Sequence, residues 1–119
     1  MIHAKFSMDR KAMTVSMDVQ GYTKAVLRTD DLLCTGTTVL VYTLAQAVQF
    51  LYEQDLLLGR PQVRICDDHA NIIVRPRESA QGEALMPFWT VQSGFYVLER
   101  NFPKHISLTP LKFLQKGRG

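Results

Sequence analysis

Apolar and polar residues alternate in two short runs near the start of the chain, over residues 2–8 and 12–19. Alternation with a period of two is typical of β-strands that bury one face. The charged segment 9–11 separates the runs and favours a turn, so the pattern predicts a β-hairpin. A polar loop over residues 21–29 follows and begins with Gly21. We expect this loop to be mobile without ligand, because it is polar and has no regular periodicity.

The stretch 32–52 has no charged residue and shows helical spacing of apolar or small residues, namely Leu33, Thr37, Leu40, Leu44, Ala47 and Leu51. Thr29, Asp30 and Asp31 precede it, and their side chains can accept hydrogen bonds from the amides of a first helical turn. Other faces are also apolar, so we expect a helix that is central to the domain or forms a dimer contact. The stretch is long enough to span a bilayer, but its threonines and glutamines favour a buried helix and no membrane partner.

The second half of the chain repeats the same order of elements. Residues 62–67 and 71–76 predict a second hairpin around a turn at 68–70 that contains His69. A second helix is indicated by the spacing of Phe88, Val91, Phe95, Leu98 and Phe102. Pro87 fits its first turn, or should kink the helix if it begins earlier, near Glu83. Residues 106–108 suit a last strand. We therefore predict one α+β domain over 1–119, a two-layer sandwich of two helices on a mostly antiparallel or mixed sheet.

Composition narrows the class of protein only modestly. Hydrophobic residues make up 46% and charged residues 21% of the chain, and the net charge is +3. This balance is ordinary for a globular protein and too weakly basic to indicate direct nucleic-acid binding. The two cysteines form no disulfide framework, and Lys5 and Asp9 interrupt any secretory signal, so reduced thiols in a cytoplasm are expected. The spacing of Cys66 and His69 would suit two ligands of a metal site, but the sequence shows no second pair of ligands. We therefore expect no metal and no cofactor.

Cys34 is the clearest candidate for a catalytic residue in the sequence. The start signals place it at the third or fourth helical position, where the amide dipoles favour a thiolate and lower the pKa of the thiol. A nucleophilic cysteine also needs a base, usually histidine, within hydrogen-bond reach. His3, His69 and His105 are all distant in sequence. The alternative for Cys34 is a small buried hydrophobic residue.

Four short segments together resemble the ribosomal-processing cysteine protease family. Gly-Tyr-Thr at 21–23 stands where the family has Gly-His-Ala, and Asp-Leu-Leu-Cys-Thr at 31–35 stands where it has Asp-Ile-Val-Cys-Ala. The spacing between the two agrees with the family. Ser-Gly-Phe-Tyr-Val-Leu at 93–98 and Phe-Pro-Lys-His-Ile at 102–106 are similar to its Gly-Leu helix, Tyr-Pro pair and closing strand. The resemblance covers nearly the whole chain.

The resemblance implies a small α/β homodimer that removes an N-terminal extension from a large-subunit ribosomal protein. It implies Cys34 as the nucleophile, Asp31 as an acid that orients a base or caps the helix, and Gly21, Thr23 and Lys24 as the substrate loop. The family histidine is replaced by Tyr22, which would otherwise be read as a surface aromatic of a glycine-led loop. A phenol with a pKa near 10 is a poor base at neutral pH.

Three interpretations follow. The first is a divergent member with weakened or lost catalysis that still binds a peptide or an N-terminal segment of a ribosomal protein. The second is an active protease with another base, such as His105, His69 or Lys24. The third is a non-catalytic structural or regulatory homodimer on the same scaffold. An imidazole or amine near the Cys34 sulfur favours the second, an open apolar groove beside the 21–29 loop favours the first, and a fully buried Cys34 favours the third.

Overall fold

The computed structural model describes residues 1–22 and 32–112. Five strands and two long helices follow one another in these ranges as β1 (Ile2–Asp9), β2 (Thr14–Gln20), α1 (Leu32–Glu53), β3 (Gln62–Ile65), β4 (His69–Val74), α2 (Gln81–Asn101) and β5 (Ile106–Thr109). A single 3₁₀ turn, Glu78–Ala80, precedes α2. The predicted order of elements and the α+β class are confirmed.

The five strands form one mixed sheet in the order β3-β4-β2-β1-β5. Neighbouring strands are antiparallel except β1 and β5, which are parallel. Alternate residues face the helices, as Val15, Met17 and Val19 of β2 do, and these are buried. The rings of Phe6 on β1 and Phe95 on α2 meet edge to face, with centroids 5.9 Å apart. The core therefore lies between the helices and one face of the sheet.

Helix α1 is buried along one side, as its apolar spacing predicts, through Leu33, Thr37, Thr38, Val41, Leu44, Val48 and Leu51. It ends where Asp55 adopts a left-handed conformation with φ of 61°. The Leu56 amide then donates a hydrogen bond to the Leu51 carbonyl oxygen at 3.0 Å, and this Schellman arrangement closes the helix. Among the described helices, α1 is the one whose length and composition would allow it to cross a membrane, a test that a core helix also passes.

Two glycines allow α1 and α2 to approach each other closely. A Cβ atom added at Gly94 of α2 would lie 2.5 Å from Cδ2 of Leu40, and one at Gly36 of α1 would lie 3.2 Å from Cδ2 of Leu98. Each helix therefore packs a leucine against a glycine of the other. This contact fixes the start of α1 beside the end of α2.

Helix α2 begins earlier than the apolar spacing predicts. It starts at Gln81, so Pro87 lies inside the helix and not in its first turn. A proline at this position leaves the carbonyl of Glu83 without its helical hydrogen bond. The first three residues of the helix are exposed, but Ala84, before the proline, is fully buried against the core.

The second hairpin forms, but His69 is not in its turn. His69 is the first residue of β4 and pairs with Gln20 of β2. The Cys66 amide donates a hydrogen bond to the His69 carbonyl oxygen at 2.7 Å and closes the turn one step earlier along the chain. Because β2 lies far from β4 in the sequence, the local sequence pattern around His69 does not predict this pairing. Val63 is 43% exposed because β3 is an edge strand.

Candidate functional site

A cavity of about 440 Å³ lies at the end of the sheet where α1 begins. Cys34 lines it. The other described lining residues come from the starts of β1 and α1, the end of β2 and the segment between α2 and β5, namely Met1, Ile2, Gly21, Leu32, Leu33, Phe102, Lys104 and His105. The fold thus gathers a thiol, an amine and an imidazole around one open cavity.

Cys34 is the third residue of α1 and is half-buried. Its side chain packs against the hydrophobic core, while its carbonyl oxygen accepts a hydrogen bond from the Thr38 hydroxyl at 2.8 Å. The amides of a first helical turn point towards the N-terminal end of the helix, and their dipoles favour a thiolate there. Cys34 therefore borders the cavity at a position that favours the reactive form of the thiol.

Gly21 forms part of the cavity wall at a point where only glycine fits. Its φ is +91°, a left-handed conformation that residues with a Cβ atom rarely adopt. An added Cβ would also collide with the carbonyl oxygen of Met1. The Gly21 amide donates a hydrogen bond to the Asp68 carbonyl oxygen at 3.0 Å. The chain is thus held against β1 as it leaves β2.

Tyr22 lies in the core and is 1% exposed, so the expectation of a surface aromatic is wrong. Its hydroxyl donates a hydrogen bond to the Cys66 carbonyl oxygen at 3.4 Å. Burial raises the pKa of Tyr22 above its ordinary value, with smaller contributions from the nearby groups Tyr42, Cys66, Asp68 and Asp67. Tyr22 is not among the described residues that line the cavity.

Several predicted site residues lie outside the described part of the chain. Thr23, Lys24 and Asp31 belong to the segment 23–31, which separates the two described ranges. The prediction of a mobile loop over 21–29 also falls almost entirely on this segment.

The three histidines occupy different environments, all within the described residues. Nε2 of His69 lies 2.7 Å from a carboxylate oxygen of Asp18, on the polar face of the sheet. Nδ1 of His3 is 2.9 Å from the Ser107 hydroxyl. His105 lines the Cys34 cavity. Of the described candidate bases His69 and His105, His105 is therefore the one that shares the cavity with Cys34, and Lys24 lies outside the described residues.

The Asp18 and His69 pair is a feature that sequence reasoning missed. Burial raises the pKa of Asp18, but hydrogen bonds from His69, Gln20 and Asn71 outweigh it, so the pKa of Asp18 lies below its ordinary value. The two residues meet because β2 and β4 pair in a register that sets Gln20 opposite His69. No group of three or more metal-ligating side chains comes together among the residues that the structure describes.

A second surface feature is a shallow groove of about 710 Å³ along the outer face of α1, which we call the α1 groove. It is lined by Thr38, Val39, Tyr42, Thr43, Gln46, Ala47 and Phe50. Val39 is 58% exposed and Phe50 is 57% exposed. The groove has no charged lining residue, which agrees with the charge-free sequence of the helix.

No protein-family model and no curated protein matches this chain. Solved structures do match. The essential ribosomal processing protease Prp from Staphylococcus aureus, in complex with a covalently linked product peptide, aligns with a TM-score of 0.61 and 18% identity over 94% of this chain and 100% of that chain. The same protease with a substrate peptide gives a TM-score of 0.61 at 17% identity, with the same coverage.

A further match is SMU.848 from Streptococcus mutans, with a TM-score of 0.64 and 16% identity over 94% of this chain and 96% of that chain. At these identities the comparisons show a shared fold. The α+β architecture of this chain is therefore the architecture of the Prp protease.

Proposed function

We propose that this chain is a divergent relative of the ribosomal-processing cysteine protease that binds an extended peptide at the Cys34 cavity, with weakened or lost catalysis. The observation that carries this proposal is the position of Cys34, which begins a helix and lines an open cavity in a fold that matches Prp over 94% of the chain. Two of the matching Prp structures are described with a substrate or product peptide.

The lining of the cavity suits a peptide segment. Leu32, Leu33 and Phe102 provide apolar surface, and Lys104 and His105 provide polar groups at its edge. An extended peptide can place alternate apolar side chains on such a surface while its backbone remains available for hydrogen bonds. By the family resemblance, the candidate ligand is an N-terminal segment of a large-subunit ribosomal protein.

The same resemblance assigns roles to residues around the cavity. We propose Gly21, Thr23 and Lys24 as the loop that borders the peptide, and Asp31 as an acid that orients a base or caps α1. We further propose that the protein is a single domain over 1–119 in a reducing cytoplasm, with no resident cofactor.

Weakened catalysis is proposed because of the state of Tyr22. It takes the position that the resemblance gives to the catalytic histidine. Its phenol is buried and donates a hydrogen bond to a backbone carbonyl, and its pKa is raised above an already high value, first by burial. A group that remains protonated at neutral pH cannot take the proton of a thiol.

Peptide binding can be tested by fluorescence anisotropy. The probe is a labelled peptide with the sequence of the N-terminal extension of the ribosomal protein from the organism that encodes this chain, and a scrambled peptide is the control. Leu32→Gln removes an exposed apolar residue of the cavity, and Leu58→Gln is its matched control, since Leu58 is 53% exposed elsewhere.

We expect saturable binding of the native peptide that Leu32→Gln weakens by about fivefold, equivalent to ~1 kcal/mol. Leu58→Gln should leave the affinity unchanged. Equal affinity for the native and scrambled peptides would contradict the proposal.

A second candidate function is that of a structural or regulatory homodimer, and it is favoured by the α1 groove. This surface exposes Val39, Tyr42 and Phe50 without a charged residue. Two copies of such a surface can meet without the desolvation penalty of burying a charged group. We propose that α1 forms a homodimer contact in either function, and the peptide assay separates the two.

A further inference from the structure

We propose that His105 is the acid–base partner of Cys34. The proposal rests on the peptide-binding function above and deepens it, because it gives the Cys34 site a base outside the 21–29 loop. Both side chains line the same cavity of about 440 Å³. The chain would then retain weakened cysteine peptidase activity, with an imidazole from the segment between α2 and β5.

The other two histidines have partners elsewhere. His69 is held by Asp18 at 2.7 Å on the polar face of the sheet, and His3 is bound to Ser107 at 2.9 Å. Neither lines the cavity in the described part of the chain. His105 is exposed and lines the cavity that Cys34 also lines.

The backbone of His105 is held on both sides. Its amide donates a hydrogen bond to the Phe102 carbonyl oxygen at 2.9 Å, and its carbonyl oxygen accepts one from the Ile2 amide at 2.8 Å. The next residue, Ile106, begins β5 in parallel register with Ile2. The backbone position of His105 is therefore set by the β1–β5 pairing.

The charged side chain described at this cavity, apart from His105, is a cation, which favours a thiolate. Lys104 contributes it from the segment that carries His105. Cys34 stands at the amino end of α1, and the lining residues Phe102 and Gly21 are uncharged. The described lining contains no acidic side chain, while Asp30 and Asp31, which precede Cys34 in the sequence and would oppose loss of the thiol proton, lie outside the described residues.

The reaction requires the side chains of Cys34 and His105, the peptide substrate and one water molecule. The Cys34 thiol transfers its proton to a ring nitrogen of His105, and the sulfur forms a bond to the peptide carbonyl carbon as the carbonyl π electrons move to oxygen. Collapse of this intermediate breaks the C–N bond, and the imidazolium returns its proton to the leaving amine. Water then attacks the thioester with His105 again as base, which releases the carboxylate and restores the thiol.

The test is the pH dependence of Cys34 alkylation by iodoacetamide between pH 5 and pH 10. The parent protein carries Cys66→Ser, so that one thiol reacts. We expect two ionisations in its rate profile, with the first midpoint below the free-thiol value of about 8.5. His105→Asn should leave a single ionisation and raise the pKa of the thiol by about one unit. The fraction of thiolate at pH 6.5, and with it the alkylation rate, should then fall about tenfold.

Two further variants act as controls. His3→Asn removes an exposed histidine of β1 and should not change the profile. Lys104→Met removes a cation of the cavity and should lower the rate while both ionisations remain. A single ionisation near 8.5 in the parent protein overturns the proposal without any variant, and so does a His105→Asn profile that superimposes on that of the parent.

The result is separable from peptide binding. If the proposal about His105 fails but the cavity binds peptide, the anisotropy measurement still shows saturation. If the cavity binds no peptide, the alkylation profile still reports whether His105 ionises with Cys34.

Discussion

The hydroxyl of Tyr22 donates a hydrogen bond to the backbone oxygen of Cys66 at 3.4 Å, and this contact ties the end of β2 to the turn between β3 and β4. The neighbouring amide of Gly21 donates to Asp68 in the same turn at 3.0 Å. Tyr22 and Gly21 thus connect the cavity wall to the turn between β3 and β4. The Tyr22 side chain stabilises the fold at the position where the resemblance would put a catalytic base.

Removal of the Tyr22 ring should destabilise the domain much more than removal of its hydroxyl. We expect Tyr22→Ala to lower the free energy of unfolding by about 3–5 kcal/mol, because it empties a fully buried site. Tyr22→Phe should cost only about 0.5–1.5 kcal/mol, the usual net value of one hydrogen bond. Urea unfolding followed by circular dichroism measures both. Equal losses in the two variants would contradict a core role for the ring.

The Asp18 and His69 pair should make stability depend on acid pH. Burial raises the pKa of Asp18, but the hydrogen bonds led by His69 bring it below the ordinary value of 3.8. A lowered folded-state pKa stabilises the fold above pH 3.8, and this stability is lost as the pH falls through the folded-state pKa. Because both side chains are about one-third exposed, the effect should be small, about 0.2–1 kcal/mol.

Thermal unfolding between pH 2 and pH 7 measures this effect, with Asp18→Asn as the variant. The variant should be less stable than the parent at pH 7 and should approach it at pH 2. Asp55→Asn is the control, since the Asp55 side chain is 83% exposed in its pair with Arg77. A constant difference between Asp18→Asn and the parent at all pH values would count against the linkage.

Two glycines of α2 should respond to alanine in opposite directions. Gly94→Ala places a methyl group 2.5 Å from Cδ2 of Leu40, so Leu40 must move and we expect a loss of about 1 kcal/mol after the gain in helix propensity is counted. Gly82→Ala meets nothing within 4 Å and should gain about 0.4–1 kcal/mol. Denaturant titration decides, and a stabilised Gly94→Ala would mean that the helices are not in close contact.

A charged residue in the α1 groove should prevent the proposed homodimer. Phe50 is 57% exposed on α1, and Phe50→Glu would place a carboxylate opposite its symmetry mate. We expect the parent to sediment as a dimer and Phe50→Glu as a monomer. Met86→Glu on α2, where Met86 is 61% exposed, should remain a dimer. Sedimentation velocity at micromolar concentration measures this, and a monomeric parent would refute the α1 contact.

The sequence predicts the elements well because their signals are local. Alternation and helical spacing identify both hairpins and both helices. The start of α2 at Gln81 is close to the earlier of the two predicted starts, with Pro87 inside the helix, and the buried Ala84 lies before the proline. The burial of Tyr22 escapes prediction, since a glycine-led loop usually exposes its aromatic residues.

The candidate site is predicted only in part. Cys34 is identified by the helix start signal and the family resemblance. Its neighbour His105 is brought to the cavity by the parallel pairing of β1 with β5, which joins the two ends of the described chain. The Asp18 and His69 pair likewise depends on the β2–β4 register. No local pattern encodes either long-range pairing.

The most direct test of peptide binding at the Cys34 cavity is the capture of an electrophilic peptide. The native N-terminal extension peptide is made with a chloromethyl ketone at its carboxyl end, and the modified cysteine is identified by peptide mass mapping. We predict alkylation of Cys34 ahead of Cys66, although Cys66 is the more exposed thiol, and protection of Cys34 by excess unmodified peptide. Modification of Cys66 first, with no protection by the free peptide, would contradict a peptide-binding function.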